Sequence, residues 1–416
     1  MESTFLPAEL WLHVFRFATS IPTSLSSHYE PFQSHHSIAA ISNAALSDKR
    51  SISLVCKQWR NLARSMLYED IRIGHGISAL QAALSKTDSD GYRAPRYHVR
   101  RAVLAYAHTA TPTRHAPPAL ALLALLPQLE ILVRPPMHRI GGAVPIFDFP
   151  TDAPALPALR RLEWAFDSTG GAARAGGINA LDDVLRAAPA LHELALTGPM
   201  PLTALRQHRL RLRALRTLSL AGGAAACPLV ARQITYWALP ALETLVLRGP
   251  ARAEALAPLA QAFAAQVRVL ELGHAVSPLE GSTIVDAFPA LEELNVQVGG
   301  ADGVPRAACA HDALLRVGIG VDAEEWDVRT WSVVVEHVEK FVEGCPALHD
   351  VVLYARDVRV TEENPRFHAL RKTFLPQGRR LRLRSLQAQS VPTTLSSESP
   401  KPTETKHRFR ASCKNM

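Results

Sequence analysis

The sequence predicts an α/β chain: a small all-α module at the N-terminus, then a solenoid of strand and helix units with parallel strands on the concave face and helices outside. Three observations carry that prediction. A segment of form P-x-L-x-x-L-x-L returns repeatedly between about residues 95 and 386, with amphipathic helical stretches between the copies. Residues 1–75 hold two apolar helices and no copy of that segment. A chain of 416 residues, 47% hydrophobic and 20% charged, has material for a sizeable core, whereas residues 387–416 are rich in Ser, Thr and Pro and predict a disordered tail.

Residues 5–18, FLPAELWLHVFRFA, carry a helix start: Pro7 suits the first turn and Glu9 favours the positive end of the dipole. Leu10, Val14 and Phe17 form one stripe with Trp11, Phe15 and Ala18 beside it, an apolar face wider than one packing surface needs. A second helix is predicted over Ser51–Met66, where Val55, Trp59, Leu62 and Met66 recur at helical spacing. Residues 19–50 between them read as a solvated loop, with His28, His35 and His36 set among Ser, Tyr and Gln rather than in a metal-ligand pattern. Two helices make a thin core, so a docked partner is expected on the surplus apolar surface. The plainer reading is a cap that closes the end of the solenoid.

Leu6-Pro7, Glu9-Leu10 and Val14-Phe15, followed by SLVCKQWRNLA over 53–63, resemble the F-box family. The resemblance implies that Leu6, Pro7, Leu10, Val14, Leu54, Val55 and Cys56 form or support a surface that docks the Skp-type adaptor subunit of a cullin ubiquitin ligase, with Trp59 packed inside. For the whole chain it implies a substrate-recognition adaptor of an SCF-type ligase, in the ubiquitin-like conjugation pathway. The insertion 19–50 is longer than the compact form of the family.

The repeated segment reads LPQLEILV at 126–133, LPALRRLEW at 156–164, APALHELAL at 188–196, LPALETLVL at 239–247, FPALEELNV at 288–296 and CPALHDVVL at 345–353. The first leucines of successive copies stand between 23 (Leu291 to Leu314) and 34 (Leu314 to Leu348) residues apart. In L-x-x-L-x-L the last two apolar residues alternate as a short strand demands, which places Leu162 and Trp164, Leu194 and Leu196, Leu218 and Leu220, Leu245 and Leu247, Leu270 and Leu272, and Leu294 and Val296 in the core. The residues between them, Glu163, Ala195, Ser219, Val246, Glu271 and Asn295, then face an open inner wall, with Thr197, Arg248 and Gln297 one step beyond. Concave solenoid faces bind extended partners, so this row is the candidate client site. Helices are predicted over Ile178–Ala188, Leu229–Ala238, Ala253–Gln266 and Arg329–Gly344, and the prolines before the strands are expected to stop them. The units resemble the leucine-rich repeats that often follow an F-box, without the asparagine ladder of the standard form. The alternative arrangement is a doubly wound sheet.

No catalytic constellation is present: the chain lacks G-x-x-x-x-G-K-[ST], H-E-x-x-H and G-x-S-x-G. GGAARAGG at 170–177 reads as a turn, and the pairs Asp182-Asp183, Glu292-Glu293 and Glu324-Glu325 as solvated charge. Neither enzyme activity, cofactor nor metal is expected. The five cysteines are scattered and predict reduced thiols. The N-terminus has no basic segment before an apolar core, and the longest apolar run, 116–127, is too short to span a bilayer, so a soluble protein of the cytoplasm or nucleus is expected. Much of the net charge of +8 reflects an arginine-rich background composition. A second function class nevertheless follows from Arg206–Arg216 and Arg379–Arg384: a non-catalytic scaffold associated with nucleic acid, without a ligase role.

Overall fold

Strand follows strand in chain order across one sheet. β1 (Asp70–Ile73), β2 (Arg101–Leu104), β3 (Ile131–Arg134), β4 (Arg161–Ala165), β5 (Glu193–Thr197), β6 (Thr217–Ala221), β7 (Thr244–Arg248), β8 (Val269–Leu272), β9 (Glu293–Val298), β10 (Arg316–Val321), β11 (Asp350–Ala355) and β12 (Arg380–Ser385) are parallel neighbours throughout. A doubly wound sheet reverses its order at a switch point; this one does not, so the repeats stack as a solenoid. The computed structural model describes residues 6–19, 26, 29–33, 35–73, 77–86, 94–104, 122–134, 155–165, 178–198, 209–222, 225, 228–249, 253–273, 284–298, 311–321, 328–355, 358–374, 376 and 378–386. The tail 387–416 and the glycine cluster 170–177 lie outside the described residues.

The units that carry P-x-L open on a tight turn that uses its proline. The amide of Leu159 donates to the carbonyl of Leu156, Leu191 to Ala188, Leu242 to Leu239, Leu291 to Phe288 and Leu348 to Cys345, at 3.1–3.3 Å. The proline of P-x-L thus fills the second position of a four-residue turn, where its fixed φ is already correct. This adds a role to the predicted one of stopping a helix. The turns are linked by a backbone ladder: the Glu130 carbonyl accepts from the amides of both Arg160 and Arg161, Arg160 from His192 and Glu193, and so on to Leu315, which accepts from His349 and Asp350. The main chain does here what an asparagine ladder does elsewhere.

The leucines then stack in register. Leu162, Leu194, Leu218, Leu245, Leu270, Leu294, Val317 and Val351 form one buried row, and Trp164, Leu196, Leu220, Leu247, Leu272, Val296, Ile319 and Leu353 the next. Each is worth roughly 1.5–3 kcal/mol when fully buried, so the two rows are the main cohesive element of the arm. Helices α5 (Ile178–Ala187), α6 (Pro228–Thr235), α7 (Ala253–Phe263), α8 (Val328–Gly344) and α10 (Pro365–Phe374) pack into the same core as these rows, and α9 (Val358–Glu362) precedes α10.

Among the described residues the N-terminal module has three helices, α1 (Ala8–Thr19), α2 (His35–Val55) and α3 (Lys57–Glu69); α4 (Ile77–Leu84) follows within the arm. Three expectations are corrected here. Much of the insertion 19–50 is helix, since α2 begins at His35, and the helix predicted as one piece over Ser51–Met66 is broken at Cys56. The sheet also begins earlier than residue 95: α3 ends at Glu69 and β1 starts at Asp70, pairing with β2. DIRI was unreadable as a repeat because it is short and follows a helix without the P-x-L turn.

Candidate interaction surfaces

The first surface lies on the helical module. Its core is small, built from Phe15, Ala63 and Met66 with Trp11, Leu12, Ile52, Trp59 and Leu62 against them. Trp59 sits against Trp11 and Phe15, tilted to the first and edge-on to the second, with ring centroids 4.6 and 4.8 Å away. With Trp11 and Phe15 turned inward, the other stripe of α1 must face out. Leu10 and Val14 are each 48% exposed and Phe17 is 93% exposed. At the α2–α3 junction Leu54 and Val55 are exposed as well, at 74% and 61%. Leu6, Pro7 and Cys56 complete the set, all exposed. Among the described residues, six of the nine exposed large apolar side chains are Leu6, Leu10, Val14, Phe17, Leu54 and Val55, the rest being Leu229, Tyr236 and Leu315. Every residue that the family resemblance assigned to docking is therefore on the surface. Cys56 has a local task too: its sulfur caps α3 by accepting from the amide of Trp59 at 3.4 Å.

The second surface is the inner wall, and here the expectation of an open row fails. Glu163, Ala195, Ser219, Val246, Glu271 and Asn295 are all buried, while Thr197, Arg248 and Gln297 are half-buried. Ala195, Ser219 and Val246 are successive neighbours in the register of β5, β6 and β7, and all three are buried. Glu271 and Asn295 are covered by the chain itself. The carbonyl of Ser26 accepts from Arg161 Nη1 at 2.9 Å on β4. The Tyr29 hydroxyl donates to Glu271 Oε2 at 2.8 Å on β8 and accepts from Asn295 Nδ2 at 3.0 Å on β9. The amide of Phe32 donates to the same Glu271 oxygen at 2.9 Å, and Arg248 on β7 holds the Gln33 carbonyl. Glu271 Oε1 pairs with Arg248 Nε at 2.5 Å.

Phe32 seats its ring against Val352, Tyr354 and Leu386, edge-on to Tyr354 with centroids 5.1 Å apart. The floor of that seat is Gly320, where an added Cβ would lie 2.9 Å from the ring. Residues 30–33 make a turn, with the Gln33 amide donating to the Glu30 carbonyl at 3.4 Å, Pro31 in second place and Phe32 at φ +62°. The phenylalanine occupies the left-handed position usually given to glycine or asparagine.

The inner wall is charged as well as covered. Arg161, fully buried, pairs with Glu163 at 2.9 Å and Glu193 at 3.6 Å; burial alone would lower its pKa, but the two carboxylates outweigh it and raise it. Burial pushes the Glu193 carboxyl up, with Arg161 offsetting part of the effect. Burial, and next the charge of Glu271, hold the Tyr29 hydroxyl well above the ordinary tyrosine value. Sequence reasoning missed Tyr29, Phe32, Arg161 and Gly320; the signal was YEPF, two aromatics around a proline in an otherwise Ser- and His-rich stretch.

Among the described residues no group of three or more His, Cys, Asp or Glu is placed to hold a metal, and no helix is long and apolar enough to cross a membrane. The side chains of His28, His35 and His36 lie outside the described residues. Comparison with known proteins gives no family model that matches the chain and no curated protein that matches it.

Proposed function

We propose that the chain is a substrate-recognition adaptor of an SCF-type cullin-RING ubiquitin ligase: the helical module docks the Skp-type subunit and the solenoid binds a protein client. The observation that carries this reading is the division of labour in α1. Trp11 and Phe15 fill the module's core, while Leu10, Val14 and Phe17 stand exposed on the stripe beside them, and Leu54 and Val55 are exposed at the α2–α3 junction. Large apolar side chains gathered on so small a module have no internal use, and a partner's surface would bury them. The adaptor does no chemistry of its own; it raises the effective concentration of client near the ubiquitin-charged enzyme.

The test is co-expression with the Skp-type subunit followed by titration calorimetry on the purified proteins. The parent chain is expected to bind, and Leu10→Arg with Val14→Arg to lose at least roughly 100-fold in affinity with an unchanged melting temperature, because a central apolar contact is replaced by buried charge. Absence of binding by the parent would sink the reading. The second reading, a nucleic-acid-associated scaffold, draws on exposed Arg380, Arg382 and Arg384 along β12. It requires an affinity that falls steeply with salt.

A further inference from the structure

We infer that the inner wall of the solenoid is a receptor for an extended protein segment carrying an unmodified tyrosine followed three residues later by an aromatic ring, and that Tyr29 to Phe32 is its built-in occupant. Only the partner's status as a ligase client rests on the adaptor reading; the receptor property stands on the geometry of the wall.

The contacts are those of a bound peptide rather than of a sheet element. The described residues of the 26–33 segment form no strand; they are held by side chains reaching from β4, β7, β8 and β9. The two anchors are distinct. One is a hydroxyl slot, where Glu271 accepts and Asn295 donates at 2.8 and 3.0 Å. The other is an aromatic seat between Val352 and Tyr354 over Gly320. Gly320 does not sit at positive φ, so its backbone makes no demand for glycine. What the missing side chain provides is room for the ring. The slot also selects against charge: a phosphorylated tyrosine would set a dianion beside Glu271, with Glu293 bonded to the same Asn295 at 2.8 Å.

The occupant is replaceable on physical grounds. Phe32 adopts a backbone conformation disfavoured for any residue with a side chain, so part of the contact energy goes into holding it there. Its persistence is explained by attachment, because α1 ends at Thr19 and α2 begins at His35, which keeps the segment at an effective concentration in the millimolar range. A free partner that reproduced only these contacts would lose that competition. The natural partner must therefore add contacts elsewhere along the wall.

The probe is a fluorescein-labelled peptide of residues 26–33, SSHYEPFQ, titrated by anisotropy into the full chain. The parent is expected to bind it on the order of 100-fold more weakly than the Tyr29→Ser, Phe32→Ser double variant, in which the wall is vacated. Adding Gly320→Leu to that variant should remove binding, and a phosphotyrosine probe should bind at least roughly tenfold more weakly than the plain one. A folded vacated variant that ignores the probe overturns the inference, as does one that binds plain and phosphorylated probes alike. Should the vacated variant not fold, hydrogen exchange on the parent decides. Amides of Phe32 and Gln33 exchanging well ahead of β8 and β9 support a replaceable occupant, and exchange together with those strands refutes it. Neither measurement involves the Skp-type subunit, so failure here and failure of the ligase reading are separable.

Discussion

Glu271 receives Tyr29 and the Phe32 amide on one oxygen and Arg248 on the other, so loss of the tyrosine proton would set two anions against each other in a buried slot. Because the folded chain holds that proton above the ordinary value, which is about 10, the contribution of Tyr29 is fully present below pH 10 and is lost as pH rises beyond it. Denaturant titrations at pH 8 and 10.5 should show the parent losing its margin over Tyr29→Phe at the higher pH; an unchanged margin would mean that the hydroxyl is not in the slot. Cys56 makes the opposite kind of case, a weak acceptor in a place that favours a strong one. Thiols accept poorly, so Cys56→Ser is expected to stabilise the chain by a few tenths to about 1 kcal/mol through the cap of α3, measurable as a shift of the urea midpoint at constant slope.

At the scale of elements, the strands were the legible part. Leucine at the last two apolar positions of L-x-x-L-x-L is a period-2 signal, and the rows from Leu162 to Leu294 and from Trp164 to Val296 fall where alternation put them. The four predicted helices lie within a few residues of α5, α6, α7 and α8 for the same reason, their 3.6-residue period. The inner wall was half legible. Alternation says which way Glu271 points but not what lies over it, and its cover comes from Tyr29, 242 positions away in the chain. Helix α2 was hidden by its Ser, His and Asn content, which imitates a loop. Stacking also makes a testable claim on β11, α9, α10 and β12. Removing residues 345–386 would expose Val317, Ile319 and Val334, each worth roughly 1.5–3 kcal/mol buried, and would take away the Tyr354 wall of the Phe32 seat. The shortened chain should melt at least roughly 10 °C lower by calorimetry. A truncation that melts with the parent would contradict the stacked core.

For the whole molecule, the arrangement of two surfaces on one body matters more than either alone. The apolar stripe of α1 and the wall from β4 to β11 belong to parts of the chain that meet directly: Glu69 closes α3, Asp70 opens β1, and Arg100 joins them with an amide donated to the Glu69 carbonyl at 3.0 Å. Ser26, Tyr29 and Gln33 make a second attachment, from the other end of α2, onto strands far along the arm. A body fastened at two separated points cannot swivel about either. The apolar stripe and the wall are therefore held like the two jaws of a caliper, and the span between them is counted out in strands of about 4.8 Å each. Anything gripped on the wall would be presented to whatever grips α1 at a set distance and bearing. If the occupant lets go, one of the two fastenings goes with it, and the caliper becomes a hinge at the moment a partner arrives.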